Sequence, residues 1–318
     1  MHEMETMAYN EAQKPWHRLG QPVSNDLTSK EMMVASGTDW TVHEVESFAE
    51  FKGEKISTGT KSLIRSSDHK VLTNVGPDWK PVQNEQAFEF FSDYVDEGKM
   101  TMETAGSLKG GKNVWALAKV QDSFELFGGD KVDSYLLFSN PHQYGKSVDV
   151  RFTPIRVVCQ NTLSLSLEQD AKHRVNYGHR TEFDPEQVKI DLGIAGEKMV
   201  QYKEMAKFLG SVRYTMDDLI HFYNEIYPTT INPKFPETLT KETLSRNAKQ
   251  LVELTETQPG AQYAEGSWWQ AFNAVTYFTD HEQGRNPENR LQNSWYGYTA
   301  QNKTKALEKA LEYAESAA

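Results

Sequence analysis

The chain has 318 residues, of which 25% are charged and 11% aromatic, and it carries a formal net charge of −11. That length accommodates one large domain or two ordinary ones, and the acidic balance speaks against a protein wrapped wholesale in nucleic acid. No apolar run approaches the roughly 20 residues a bilayer span needs, and the N-terminal MHEMETMAYNEAQKPW lacks the basic-then-apolar pattern of a signal peptide, so a cytoplasmic protein without a membrane partner is expected.

Taken in order, residues 1–20 read as an extended arm whose cluster Trp16-His17-Arg18-Leu19-Gly20 docks on the body. A short helix is predicted from Thr28 or Ser29 to Ser36, stopped by Gly37. Trp40, Val42 and Val45 open β-structure, continued over residues 61–66 and 70–75 around a turn at Asp68-His69. Pro81 closes a loop, and Asn84 opens a helix to Asp96 with Ala87, Phe88, Phe91 and Tyr94 on its buried face. Four strands follow over residues 101–107, 114–120, 132–139 and 147–152. They are separated by Gly110-Gly111, Gly128-Gly129 and the stretch Asn140 to Gly145, the pattern of an antiparallel meander.

The stretch KSVDVRFTPIRVVCQNTLSLSLE, residues 146–168, is the pivot. Val148, Val150 and Phe152 alternate with Asp149 and Arg151 at the period of a half-buried strand. Thr153-Pro154 then suits an N-cap and first helical position. Ile155, Val158, Cys159 and Thr162 or Leu163 recur at helical spacing, which predicts a helix from Pro154 to Glu168. Arg151 would precede its N-terminus and Arg156 would lie in its first turn, a setting suited to an anion such as phosphate. The competing reading pairs both arginines with local carboxylates. Between Ser139 and Arg180 six lysines and arginines stand against three acids, a basic island in an acidic chain. Cys159, the lone cysteine, supports neither an internal disulfide nor a multi-cysteine zinc site and reads as a small buried hydrophobe.

Beyond Arg180 the periodicity becomes helical. Asp184 before Pro185 is a helix start, and further helices are expected at Met216 to Tyr227, Thr240 to Thr255, Trp268 to Asp280 and Thr304 to Tyr313, with a proline-bearing loop around Pro228, Pro233 and Pro236. The fold class expected is α+β: a central antiparallel sheet with packed helices and a helical C-terminal region. The division is a β-rich α+β core over residues 1–180 and a mainly helical region over 181–318 packed on it.

Three constellations carry candidate chemistry. In the first, Arg151, Thr153, Arg156, Gln160 and Asn161 surround the predicted helix start. In the second, TAGSLKGGK places Lys109 and Lys112 around glycines at a hairpin tip, where backbone N–H groups could approach phosphates. No Gly-Lys-Ser/Thr and no helix follow, so it is not a P-loop, and a plain hairpin with exposed lysines is the simpler reading. In the third, Trp269, Asn273, Thr276 and Asp280 share a helix side. Adjacent Asp280 and His281 diverge on a helix, so local hydrogen bonding is favoured over metal ligation. Trp268 and Trp269 read as core, although an exposed tryptophan would be a stacking platform. No nucleophile elbow, dinucleotide glycine fingerprint or HExxH occurs, and the sequence names no cofactor.

The segments TAGSLKGGKNVWALAKV, YLLFSNPHQYGKSVDVRFTPIRVVCQNTLSL and GSWWQAFNAVTYFTDH, with PWHRLG, GTDWTVHEVE and PVQNEQAFEF, resemble the phage/plasmid-like proteins of the domain of unknown function 932. The resemblance spans nearly the whole chain, RVVCQNTL being its most specific mark. It implies a phage, prophage or plasmid gene but carries no activity and no catalytic residues. The order of strands then helix is also similar to the core of phage single-strand annealing proteins, a likeness of fold alone.

The expectation is therefore a nucleic-acid-binding protein, with single-stranded DNA as the first partner in replication or recombination and a homo-oligomer compatible with it. Lys109, Lys112, Lys146, Arg151 and Arg156 would hold phosphates, and Trp115 would stack on bases. Two alternatives stay open: an enzyme or sequestering protein for nucleotides or small phosphorylated ligands in counter-defence, and a structural or protein-interaction component, which the acidic net charge suits.

Overall fold

Thr28 starts the first helix as its residue type dictates: its hydroxyl accepts from Glu31 N while the Glu31 carboxylate accepts from Thr28 N, a reciprocal capping box. The computed structural model describes residues 4–10, 20–156, 161–162, 174–179, 184, 195–229, 239–284 and 286–318. Trp16 to Leu19, Cys159, Gln160 and the expected helix start at Pro185 lie outside them.

The strands are β1 (Met4–Asn10), β2 (Gln21–Val23), β3 (Val42–Phe51), β4 (Glu54–Arg65), β5 (Val71–Val75), β6 (Met100–Leu108), β7 (Asn113–Leu126), β8 (Asp130–Pro141), β9 (Val148–Arg156), β10 (Asn161–Thr162) and β11 (Arg174–Tyr177). Helix α1 spans Ser29–Ala35 and α2 spans Asn84–Asp96. One sheet runs β10-β9-β8-β7-β6-β1-β2, with β11 also on β9, and a second runs β3-β4-β5. The meander β6 to β9 therefore neighbours in chain order, as the glycine turns predict. Of the expected extended N-terminal arm, Met4–Asn10 forms β1, which lies antiparallel to β6 and parallel to β2.

The chain divides into two compact units whose sequences interleave. One takes residues 1–121, 135–152 and 171–195; the other takes 122–134, 153–170 and 196–318. The β7–β8 hairpin tip, residues 122–134, groups with the helices.

In the first unit α2 buries Ala87, Phe88, Phe90 and Phe91, and these pack with Met102, Leu136, Phe138 and Val150. The ribbon of β3 and β4 leaves Phe48, Phe51 and Ile56 exposed toward its tip.

The second unit holds α3 (Ala195–Ser211), α4 (Met216–Ile226), α5 (Arg246–Thr257), α6 (Trp268–Tyr277), α7 (Pro287–Tyr296) and α8 (Tyr298–Ala317). Thr215, Ser245, Ser267 and Asn286 each cap the helix that follows by accepting a backbone N–H. Ser245 explains why the expected helix from Thr240 starts late: Lys241–Thr243 forms only a 3-10 turn before the new cap. The core stacks Trp268 on Tyr313 at 5.0 Å and sets Phe222 edge-on to Trp268 at 5.4 Å.

The helix predicted at Pro154 does not form there. Thr153, Pro154, Ile155 and Arg156 continue β9, and Ile155 and Arg156 pair with Thr162 and Asn161 of β10. The residue before proline avoids the α region, and β-branched neighbours favour the pleat. An N-cap signal followed by proline is equally an extended dipeptide.

Candidate functional site

Three turns of the first unit adjoin one another. The β6–β7 turn, Lys109 to Lys112, carries three successive left-handed residues, with φ of 54° at Lys109, 65° at Gly110 and 85° at Gly111. Glycine adopts that region without steric cost, whereas a lysine there costs about 1 kcal/mol. The space a side chain would need is already taken from the β4–β5 turn. A Cβ on Gly110 would fall on Lys70 Nζ, and one on Gly111 would lie 2.6 Å from the Arg65 guanidinium.

Arg65 is nearly buried and is gripped from two sides. Its Nη1 donates to Glu5 Oε2 at 2.6 Å, Nη2 to Glu5 Oε1 at 2.9 Å and Nε to Asp68 Oδ1 at 2.8 Å. Such forked geometry matches guanidinium to carboxylate. Burial works to raise the Glu5 pKa, but the Arg65 hydrogen bonds and charge, with a smaller contribution from Lys70, bring it below the usual range. Hydrogen bonds from Arg65 likewise hold Asp68 well below the carboxylate range, and those of Asp68 and then Glu5 raise Arg65.

The third turn joins β8 to β9. His142 N donates to Lys112 O at 2.8 Å, which fixes this turn beside the first. Two residues on, Tyr144 is 70% exposed, and Lys146 is exposed as well.

Beneath these turns lies a buried polar network. Asn84, at the start of α2, donates through Nδ2 to Thr38 O at 2.9 Å and Trp40 O at 3.1 Å. Its Oδ1 is then the acceptor for His142 Nε2 at 3.0 Å, which assigns the imidazole proton to Nε2. His142 Nδ1 is left a buried lone pair without a hydrogen-bond partner among the described residues. Asn140 Nδ2 donates to Val82 O at 2.8 Å. Burial, and secondarily repulsion from His179, push His142 down to about 3. His179 stacks on Trp79 at 4.0 Å, its Nδ1 lies 3.1 Å from Lys80 O, and burial lowers it too.

Of the residues singled out in the sequence, Lys109, Lys112 and Lys146 come together on these turns. Trp115 does not join them as a stacking group: it is fully buried in β7, so no base can reach its ring. Arg151 lies apart on β9, where residues two apart share a face, and its Nη2 sits 3.1 Å from Asp149 Oδ2. For Arg151 the local-carboxylate reading holds. Arg156 ends β9 opposite Asn161, in a strand and not in a helical first turn. Lys70 and Tyr144 were missed. Lys70 looked like a plain strand start, while Tyr144 had a legible signal as an aromatic in a turn beside Gly145-Lys146.

In the second unit Trp268 and Trp269 are core, as expected, and Trp269 Nε1 donates to Asp130 Oδ2 at 3.0 Å. Asp280 meets Lys303 of α8, distant in sequence, at 2.8 Å with both side chains fully buried, and His281 has a local ring contact with Tyr277 at 4.9 Å. Asp280 lies in a π-helical segment, Phe278–Glu282, that extends α6.

An open cleft of about 620 Å³ in the first unit is lined by Glu44, Lys61, Pro77, Asp78, Lys80, Pro81 and Gln83. Lys61 and Glu44 pair across 2.6 Å, so its charges largely cancel.

A family model described as Domain of unknown function (DUF932) matches residues 71–306. No curated protein and no solved structure gives a match.

Proposed function

The chain belongs to the DUF932 family, whose match covers most of its length, and from that premise we propose that it is a non-catalytic nucleic-acid-binding protein whose contact surface is the lysine-bearing turn edge of the first unit. The observation that carries this reading is the convergence of Lys70, Lys109, Lys112 and Lys146 on three adjoining turns, where Glu5 and Asp68 are engaged by Arg65. Lys109 adds to it: a left-handed position that glycine would fill at lower cost holds a cation. Phosphates need point charges on an accessible edge, and these turns supply them. The setting in which such a surface would work is replication or recombination of phage or plasmid DNA.

The small-ligand alternative is weaker here, since the cleft at Lys61 and Lys80 also contains Glu44 and Asp78 and offers no net positive pocket.

The test is fluorescence anisotropy of a labelled oligonucleotide over a salt series. With three or four phosphate contacts, log affinity should fall with log salt at a slope of about −2 to −3 on single strands. Lys109→Gly should reduce that slope by about 0.7 while leaving stability within about 1 kcal/mol of the parent. Salt-independent binding, or none, removes the proposal.

A further inference from the structure

We propose that Tyr144 is the platform on which an unpaired base stacks, and that it makes the lysine turns selective for single-stranded over duplex nucleic acid; this rests on the nucleic-acid reading above.

Among the described residues Tyr144 is the most exposed of the large apolar side chains, at 70%. The first unit's described tryptophans are withdrawn by comparison: Trp40 is 6% exposed, Trp79 7% and Trp115 0%. The lysine edge thus offers Tyr144 as its accessible ring, and the position is built into the turn. His142 N is tied to Lys112 O, Lys146 N donates to Gln143 O at 3.3 Å, and Tyr144 lies between those two bonds. Next to it, Gly145 turns the chain at φ 72°, and apart from its two chain neighbours no described atom lies within 4 Å of where its Cβ would stand.

A phenol ring this exposed to water gains from covering by a flat, apolar partner. Lys146 two residues on, with Lys112 and Lys109 across the adjoining turn, would hold the phosphates on either side of a base resting on the ring. A duplex hides its base faces in the stack and presents only edges, whereas a single strand can turn a face outward. Stacking tolerates any base, so little sequence preference should accompany it.

Anisotropy titrations of the full chain with a labelled single strand, its duplex and an abasic strand of equal length decide the matter. Tyr144→Ala should weaken single-strand binding about tenfold. It should leave the duplex, the abasic strand and the salt slope unchanged, and Tyr144→Trp should restore single-strand affinity. An exposed turn residue is not needed for folding, which a thermal melt of each variant verifies. If Tyr144→Ala binds single strands like the parent while Lys109→Gly still weakens them, the stacking role is wrong and the lysine interface stands. Equal losses on single strand and duplex overturn the stacking role too. If the parent chain binds none of the three probes, the interface and the platform fall together.

Discussion

Lys303→Met should lower the unfolding free energy of the second unit by about 3–5 kcal/mol, the largest single effect expected in this protein. The Lys303 ammonium lies 2.8 Å from Asp280 Oδ1, and both side chains are fully buried. Removing the cation takes the Lys303 partner from a carboxylate held away from water, which costs more than the pair contributes. The same logic fixes the control. Asp280→Leu combined with Lys303→Met removes both charges and should recover most of the loss, so the double variant ought to be more stable than Lys303→Met alone. Urea denaturation followed by tryptophan fluorescence is well placed to report it, because Trp268 and Trp269 lie in the core of this unit. Tyr227 sits in the same polar region: burial raises its pKa, opposed by a hydrogen bond with Asn302, with the charge of Asp280 adding to the rise. A double variant no better than Lys303→Met would mean that the carboxylate finds other partners when the lysine is gone.

Asp280 also illustrates what the sequence hides. Its place at the end of an aromatic helix was legible from the three-four spacing of Trp269, Asn273 and Thr276, all of which are buried. Its partner, 23 residues onward in another helix, obeys no local rule. Elements governed by neighbours a few residues away were readable: α1 with its Thr28 cap, α2 with its phenylalanine face, and the meander with its glycine turns. Thr153-Pro154 misled because cap chemistry and strand chemistry share those residues, and only pairing with β10 decides between them. Trp115 misled for a similar reason. Alternation along β7 says which residues share a face, but this strand is buried on both sides from Val114 to Ala118. The lysines of the candidate site were visible as a hairpin tip, whereas their convergence with Lys70 and Lys146 depends on which turns the sheet brings together.

Acid should weaken the first unit well before its carboxylates titrate, and His142 is the reason. An imidazole held at about 3 in the folded chain takes up no proton between pH 6.5 and that value, while the unfolded chain does. The unfolded state then carries the extra proton, so stability rises with pH in this window by about 1.4 kcal/mol per unit. The contribution is complete above pH 6.5 and has fallen by about 2 kcal/mol at pH 5. His179, also lowered by burial, acts with the same sign. Glu5 and Asp68, whose values are depressed by Arg65, begin to withdraw their support only as pH falls through the ordinary carboxylate range, so they do not obscure the interval from 6.5 to 5. His142→Gln keeps an N–H for Asn84 Oδ1 but cannot titrate. It should be less stable at pH 7.5, where the native ring packs best, and should show a flatter pH dependence of the urea midpoint between 6.5 and 5. A parent midpoint that is flat over this interval would show that the ring protonates in place, and a variant that falls as steeply as the parent would assign the dependence to another group, His179 first. The outcome bears on the candidate site as well as on the fold. The backbone N–H of this residue ties the turn of Tyr144 and Lys146 to that of Lys109 and Lys112, so whatever expels the imidazole from beneath the turns also separates the groups proposed to hold the strand.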